Sequence, residues 1–282
     1  EGGNHKITSL TKDGFFGYTK NATVKNLTVE RSSSTKAALI YSMAGGTVDN
    51  CHSTGSVSTT GGLIWETAVV SGTSSILNST NRNNCSGVSG ECGGIVCQVG
   101  TSENYLENCH NYGNISGSYR VGGLVGRSTQ NATAHLTVMR CSNRGNVTNP
   151  DTGNDAVVGG LVGKCSATIT YSYNMGDVDG RANTVAGITA SGSASYCYNL
   201  GTITGGKNTS GARNLTVNGI SSSAPSKCFN AGMVVNYSTG HAYALSSSGS
   251  TDCFNAGDIA ANAGNAYSAN SGTNTYTIGR LV

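Results

Sequence analysis

Apolar or small residues alternate with variable, mostly polar ones in a seven-residue phrase, Cys-x-Asn-x-Gly-x-(Val/Ile), that recurs along the chain. The copy at residues 109–115 reads Cys-His-Asn-Tyr-Gly-Asn-Ile. Its Cys, Asn, Gly and Ile fall on every second position, which is the side-chain periodicity of a β-strand. We therefore predict that these four residues point inward and that the residues between them point outward.

The phrase recurs often enough to define a repeat. It begins at Cys51, Ser79, Cys109, Cys141, Ser172, Cys197, Cys228 and Cys253, with serine in two degenerate copies. A second phrase, Gly-Gly-Leu-(Ile/Val), follows most copies, so that each coil carries two or three short strands. A repeat of about 25–32 residues predicts a solenoid. We predict an all-β fold, a right-handed parallel β-helix, in which residues 1–282 form one domain or a segment of a longer solenoid.

The asparagines of the phrase are the clearest structural candidates. Coils stacked at the ~4.8 Å spacing of paired strands place like residues on like. The buried asparagines can then form an amide ladder, each side chain bonding to the next. The alternative is turn chemistry, because Asn tolerates left-handed backbone. Both interpretations are structural rather than catalytic. The predicted ladder comprises Asn81, Asn111, Asn143, Asn174, Asn199, Asn230 and Asn255.

Composition supports a thin stacked core. The chain has 282 residues with 41 Gly and 2 Pro, and 6% of its residues are aromatic. No window shows the spacing of a long amphipathic helix. The net charge is only +3 and comes without basic clusters, so we expect no nucleic-acid partner. No apolar run approaches the roughly 18 residues of a membrane span, so we expect none in this chain.

Eight of the ten cysteines fall into two groups, and Cys97 and Cys165, which follow the second phrase, are ambiguous. Six occupy the first position of the phrase, where a buried thiol acts as a small hydrophobe. Cys85 and Cys92 lie in a segment that looks irregular and outside the phrase, and we predict a disulfide between them. No CxxC occurs and the five histidines are scattered, so we expect neither a metal nor another cofactor.

Sequons of the Asn-x-Ser/Thr type are about as frequent as this composition gives by chance. The best candidates for glycosylation lie at predicted outward or loop positions. They are Asn114, Asn131, Asn146 and Asn208.

Two carboxylates are the only candidates for polysaccharide chemistry. Asp177 and Asp179 lie two apart on one predicted strand, so both face outward about 7 Å apart. That separation lies between the two carboxylate spacings of glycosidases. Neighbouring coils carry Asn or Thr at the matching positions, which favours a solvated strand face. We keep the pair as the alternative glycan site.

The phrase Gly-Leu-Val-Gly at residues 123–126 and 160–163, followed by Cys-x-Asn-x-Gly-x-Val, resembles the GLUG-type repeats of microbial surface proteins. These repeats occur in some bacterial adhesins and IgA-cleaving peptidases and in repeat-rich protist proteins. The opening residues 2–10, 14–17 and 24–29 are similar to the first coils of such regions. The resemblance implies a β-solenoid that serves as a stalk, spacer or adhesive surface. Peptidase activity is not implied, because no His-Glu-x-x-His motif occurs.

These observations together predict a non-catalytic extracellular or cell-surface structural glycoprotein. It would serve as a surface stalk, an adhesin segment or a filament subunit. The expected partners are further copies of the chain, stacked end to end, and host or cell-surface glycans. The alternative is a glycan-binding or polysaccharide-degrading β-helix that uses its outward strand face or its side loops.

Overall fold

The computed structural model describes residues 2–3, 5–32, 36–55, 61–68, 72–87, 90–129, 135–153, 155–207, 214–268 and 271–282. Within these ranges the protein is all-β and contains no helix. Parallel strands stack into a β-solenoid of about 8 turns, as the repeat predicts. The hand of the winding stays a prediction.

Apart from two strands of 16 residues each in the first part of the chain, the strands are short, as expected where Gly-rich corners interrupt each coil. In the first part of the chain they are β1 (His5–Leu10), β2 (Phe16–Arg31), β3 (Ile40–Gly55), β4 (Ile64–Thr67), β5 (Thr73–Leu77), β6 (Thr80–Asn81), β7 (Cys85–Gly87), β8 (Cys92–Gly93), β9 (Val96–Val99), β10 (Glu103–Glu107), β11 (His110–Asn111), β12 (Ile115–Gly117), β13 (Arg120–Gly122), β14 (Val125–Ser128), β15 (His135–Met139), β16 (Ser142–Asn143), β17 (Val147–Asn149) and β18 (Val157–Gly159).

The same pattern continues to the last described coil. The remaining strands are β19 (Val162–Lys164), β20 (Ala167–Thr170), β21 (Tyr173–Asn174), β22 (Val178–Gly180), β23 (Thr184–Ala186), β24 (Ser193–Ser195), β25 (Tyr198–Asn199), β26 (Ile203–Gly205), β27 (Thr216–Asn218), β28 (Phe229–Asn230), β29 (Val234–Asn236), β30 (Ala242–Tyr243), β31 (Ser250–Thr251), β32 (Phe254–Asn255), β33 (Ile259–Ala261), β34 (Ala266–Tyr267), β35 (Gly272–Thr273) and β36 (Tyr276–Thr277).

Each strand pairs with its counterpart one coil away. One seven-stranded sheet has the order β33-β29-β26-β22-β17-β12-β7, and a second has the order β34-β30-β27-β23-β18-β13-β8. Strands β31 and β35 pair with each other, and the other strands form a 20-stranded sheet. The register aligns equivalent positions of the phrase in neighbouring coils, so that Asn111 pairs with Asn81 on one side and with Asn143 on the other.

The core is a narrow column of stacked apolar side chains. One cluster of buried residues extends from Val24 to Ile259. The last position of the phrase forms one of its rows, in which every side chain is fully buried: Ile115, Val147, Val178, Ile203, Val234 and Ile259. Since a single coil has no second layer to cover these residues, each coil depends on its neighbours for burial.

The second phrase packs directly on the asparagines of the first. A Cβ built on Gly123 would overlap the carbonyl oxygen of Gly160 and the side chain of Asn143. A Cβ on Gly94 would likewise overlap the side chain of Asn111, and a Cβ on Gly160 would overlap that of Asn174. The second Gly of the phrase is therefore required by close approach, because the ladder amide and the next coil occupy the space of a side chain.

Cys85 and Cys92 belong to the core rather than to an irregular segment. Cys85 pairs with Ile115 and Cys92 with Val121, so each thiol occupies a position where other coils carry a β-branched residue. The interpretation of both as lying outside the repeat was wrong, because Cys substitutes for an apolar residue in the stack. The structure records both residues as buried thiols, and the disulfide between them stays a prediction.

The residue before each copy of the phrase lies in the left-handed conformation, and so do Asn26 and Asn274, which occupy the same register position in coils without the phrase. These corner residues have φ between 49° and 57°. They are Asn26, Asn50, Asn78, Asn108, Arg140, Tyr171, Tyr196, Lys227, Asp252 and Asn274. Left-handed backbone is disfavoured for most side chains and is best tolerated by Asn, Asp and Gly. The corner therefore carries strain wherever Arg, Tyr or Lys occupies it.

The left-handed backbone at Asn108, where φ is 52°, leads to a prediction about stability. Asn108→Val should lower the free energy of unfolding by about 1–2 kcal/mol, because a β-branched residue disfavours left-handed backbone. Asn108→Gly is the matched control, since it also loses the side-chain bond to Asn78 but tolerates the conformation. Urea unfolding of both variants measures the difference. Equal stability of the two variants would contradict the assigned corner.

The described part of the chain contains no helix with the length and hydropathy needed to cross a membrane.

Candidate functional site: the asparagine ladder and the outward strand faces

The seven predicted ladder asparagines form one continuous row of hydrogen bonds. Asn111 Nδ2 donates to Asn143 Oδ1 at 2.8 Å, and also to the carbonyl oxygen of Gly113 at 2.7 Å. The same pair of bonds recurs from coil to coil, with amide–amide distances of 2.7–2.8 Å between Asn81 and Asn255. All seven side chains are fully buried. Each amide is thus bonded to the next coil and to its own backbone.

This geometry decides between the two interpretations of the asparagines. No ladder asparagine is among the described residues with left-handed backbone, and that conformation instead falls on the corner residue before the phrase. Turn chemistry is therefore wrong for the ladder position. The row begins at Ser53, whose hydroxyl donates to Asn81 Oδ1 at 2.9 Å.

The removal of one ladder amide should destabilise the whole stack. Asn143→Ala leaves Asn111 Nδ2 and Asn174 Oδ1 each without one buried partner, and we expect a loss of about 2–4 kcal/mol. Asn146→Ala, three residues further along the same coil, is the control. It removes one exposed bond to the backbone amide of Asp177 and should cost less than about 1 kcal/mol. Denaturant unfolding checks both values, and similar losses for the two variants would contradict the ladder's role.

The cysteines form a second buried row beside the ladder. The amide of Cys109 donates to Cys141 Sγ at 3.4 Å, and the amide of Cys228 donates to Cys253 Sγ at 3.3 Å. A serine fills the row in the degenerate copies, where the amide of Cys51 donates to Ser79 Oγ at 3.1 Å. Burial raises the pKa of Cys51 to about 11. Burial also keeps the thiols of this row out of contact with reagents in solution.

This burial predicts how the thiols react. In the folded protein a disulfide reagent such as DTNB should modify the ten cysteines slowly, because all of them are buried. Unfolding in guanidinium should expose all of them to rapid reaction. A spectrophotometric count of released thionitrobenzoate checks both states. Rapid modification of several thiols in the folded protein would contradict their placement in the core.

Aromatic rings on the outward face also stack from coil to coil. The rings of Tyr173 and Tyr198 are 4.7 Å apart with an interplanar angle of 4°, and those of Phe229 and Phe254 are 5.6 Å apart. Parallel stacking along the solenoid covers the ring faces and leaves their edges toward solvent. Tyr173 and Tyr198 are therefore not a platform on which a sugar ring could stack.

Two arginines hold one tyrosine between them on this face. The Arg82 guanidinium lies 4.6 Å from the ring centroid of Tyr112, and the Arg144 guanidinium lies 5.6 Å from the same centroid. Arg144 Nη2 also donates to the hydroxyl of Tyr173 at 3.0 Å. Neither arginine forms an ion pair with a carboxylate among the described residues. This cluster was not predictable from the sequence, because only the register between coils brings Arg82, Tyr112 and Arg144 together.

Histidines beside this cluster are neutral hydrogen-bonding groups. His110 Nδ1 lies 2.8 Å from Ser142 Oγ, and its Nε2 lies 3.1 Å from Asn108 Oδ1. Burial and then the charge of Arg144 lower the pKa of His110. His110 is therefore uncharged at neutral pH and contributes polarity rather than charge.

The glycosylation candidates divide into two pairs. Asn114 and Asn146 are exposed and belong to one column, in which each Oδ1 accepts a hydrogen bond from the backbone amide of the next coil. Asn131 and Asn208 lie outside the described residues. Glycosylation stays a prediction for all four.

The alternative glycan site is split between two environments. Asp177 is exposed, and its carboxylate accepts a hydrogen bond from the amide of Thr202 at 2.9 Å. Asp179 is half-buried in a shallow groove of about 290 Å³. The groove is lined by Ser116, Thr148, Asn149, Pro150, Asp179 and Arg181. Desolvation raises the pKa of Asp179.

The loop that borders this groove is held by a charged network. Arg120 Nη2 donates to Asp155 Oδ2 at 2.7 Å, and Lys164 Nζ donates to Asp155 Oδ1 at 2.8 Å. The hydroxyl of Tyr119 donates to the same carboxylate at 2.9 Å. Hydrogen bonds from Lys164 and then Tyr119 hold the pKa of Asp155 well below its usual range. The network fixes the loop, and its carboxylate is fully engaged.

Among the described residues no group of three or more His, Cys, Asp or Glu side chains is arranged to hold a metal ion. Comparison with known proteins adds no identification: no protein-family model matches the chain, and no curated protein matches it significantly. The solenoid fold therefore rests on the structure itself.

Proposed function

We propose that this chain is a non-catalytic structural protein of the cell surface or extracellular space, serving as a stalk, an adhesin segment or a filament subunit. The observation that carries the proposal is the unbroken row of amide bonds from Asn81 to Asn255. The row joins each coil between Asn81 and Asn255 to the next, so we expect this part of the rod to unfold as one unit.

The uniformity of the coils supports a rod-like role. About eight turns at the ~4.8 Å strand spacing give a stacked length of about 40 Å. Each coil adds one residue to each outward column, and the residue types vary along a column, so the long side of the rod can carry more than one binding surface. A filament would require head-to-tail contacts between copies, which propagate without closing.

Two features support an extracellular location. The cysteines are buried, which protects them from oxidants outside the cell. The sequons at Asn114 and Asn146 lie on the exposed surface, where an oligosaccharide would project into solvent. The likeness of the Gly-Leu-Val-Gly and Cys-x-Asn-x-Gly phrases to GLUG-type repeats supports the same assignment.

The second candidate is a glycan-binding or polysaccharide-degrading β-helix. It is favoured by the groove in which the half-buried carboxylate of Asp179 lies beside the hydroxyls of Ser116 and Thr148. A raised pKa is a property of general acids in glycoside hydrolysis. Asp177, however, lies in the neighbouring exposed column and does not line this groove.

Incubation with a panel of neutral and acidic polysaccharides separates the two candidates. The structural role predicts that the wild-type protein releases no new reducing ends and that Asp179→Asn behaves identically. Depolymerisation by the wild-type protein that disappears in Asp179→Asn would overturn the structural proposal. Thr148→Val is the control, because it changes the lining of the same groove and keeps the carboxylate of Asp179. Electron microscopy of the same sample distinguishes isolated rods from end-to-end filaments.

A further inference from the structure

The outward face around Tyr112 carries two exposed guanidiniums without a carboxylate partner among the described residues. Other cations on the described surface are paired with carboxylates, as Arg140 and Lys164 are, or lie singly over a ring, as Lys227 does over Tyr196. Arg82 and Arg144 are exposed, and their neighbours are aromatic rings. A guanidinium stacked on a ring keeps its edge N–H groups available for an anion.

The register sets the spacing of these two cations. Arg82 and Arg144 occupy the same position of the phrase in coils that are separated by one intervening coil, which carries Tyr112. Two strand spacings place them about 10 Å apart along the solenoid axis. The shared ring restrains both side chains, so less conformational entropy is lost when an anion binds.

A row of amide donors lies beside the arginines. The Oδ1 atoms of Asn84, Asn114 and Asn146 accept backbone amides of the next coil at 2.9–3.0 Å. These bonds fix each carboxamide and leave its Nδ2 without a protein partner among the described residues. Guanidinium and amide N–H groups are all donors. The face therefore suits a ligand that is rich in acceptors and negatively charged.

The row of donors ends at Asp177, which follows Asn146 in the same column. Its carboxylate is exposed and would repel an anion. The donor face is therefore bounded, and it extends along the axis from Asn84 to Asn146.

We propose that the face formed by Arg82, Tyr112, Arg144 and the flanking asparagines binds a linear acidic polysaccharide lying along the solenoid axis. Its carboxylates or sulfates pair with the two guanidiniums, and its hydroxyls accept from the amide row. Nucleic acid fits less well, because both faces of Tyr112 are already covered by arginine and no base can stack there. The proposal is independent of whether the rod is a stalk or a filament, and its failure would leave the structural role standing. It requires Asn114 and Asn146 to be unglycosylated, because a glycan on Nδ2 would block the amide row.

Binding to immobilised polysaccharides tests the proposal, using protein whose intact mass shows Asn84, Asn114 and Asn146 unmodified. Polygalacturonate supplies carboxylates, dextran sulfate supplies sulfates, and dextran is the neutral control. We expect salt-sensitive binding to at least one acidic polymer and none to dextran. Equal binding of poly-glutamate, or of vesicles containing phosphatidylserine, would overturn the polysaccharide assignment.

Variants locate the site. Arg82→Gln and Arg144→Gln should each weaken binding about tenfold, as expected for the loss of a hydrogen-bonded charge. Arg140→Gln is the matched control, because Arg140 lies on the same coil as Arg144 but is paired with Glu107. The affinity of this variant for the acidic polymer should differ from that of the wild type by less than about twofold. Wild-type affinity in the Arg82→Gln/Arg144→Gln double variant would overturn the proposal.

A last variant separates this site from the carboxylate site. Asp177→Asn extends the amide row by one coil and removes the repulsion, so it should raise affinity for the acidic polymer about twofold. If the polysaccharide instead binds through Asp177, the same substitution weakens binding, and that result contradicts the proposed face.

Discussion

The hydrogen bond between the side-chain amides of asparagines one coil apart is the interaction on which the structure depends. An amide buried in an apolar core is costly unless both its donor and its acceptor are bonded. Asn143 satisfies this requirement only with Asn111 on one side, Asn174 on the other and its own backbone. The bond therefore fixes the register between coils, because a slip of one residue would leave the amide unpaired.

The other recurring features of the coils are consequences of this row. A coil must bring its backbone close to the amide of its neighbour, which is why Gly123 faces Asn143 without a side chain. The chain must also turn sharply before the phrase, which the left-handed corner at Asn108 and its equivalents achieves. The thiol row then fills the narrow space beside the ladder with small apolar groups.

The fold was predictable because its determinants repeat in the sequence, and Asn111 and Asn143 occupy the same position of one phrase. Other features were not predictable, for physical reasons. The corner position carries Asn, Arg, Tyr, Lys or Asp, so no residue type marks its left-handed backbone. Cys85 stands where other copies of the phrase end in Val or Ile, yet it occupies the same place in the core as Ile115. Arg82 and Arg144 lie 62 residues apart, and only the stacking of coils brings them to one ring.

Hydrogen exchange of the asparagine side-chain amides, followed by NMR, tests the ladder most directly. The account predicts that the Nδ2 protons of Asn111, Asn143 and Asn174 exchange only through global unfolding, because each is buried and bonded to the next coil. The amides of Asn114 and Asn146, exposed on the same coils, should exchange rapidly. Rapid exchange at Asn143, at a rate similar to that of Asn146, would contradict the account.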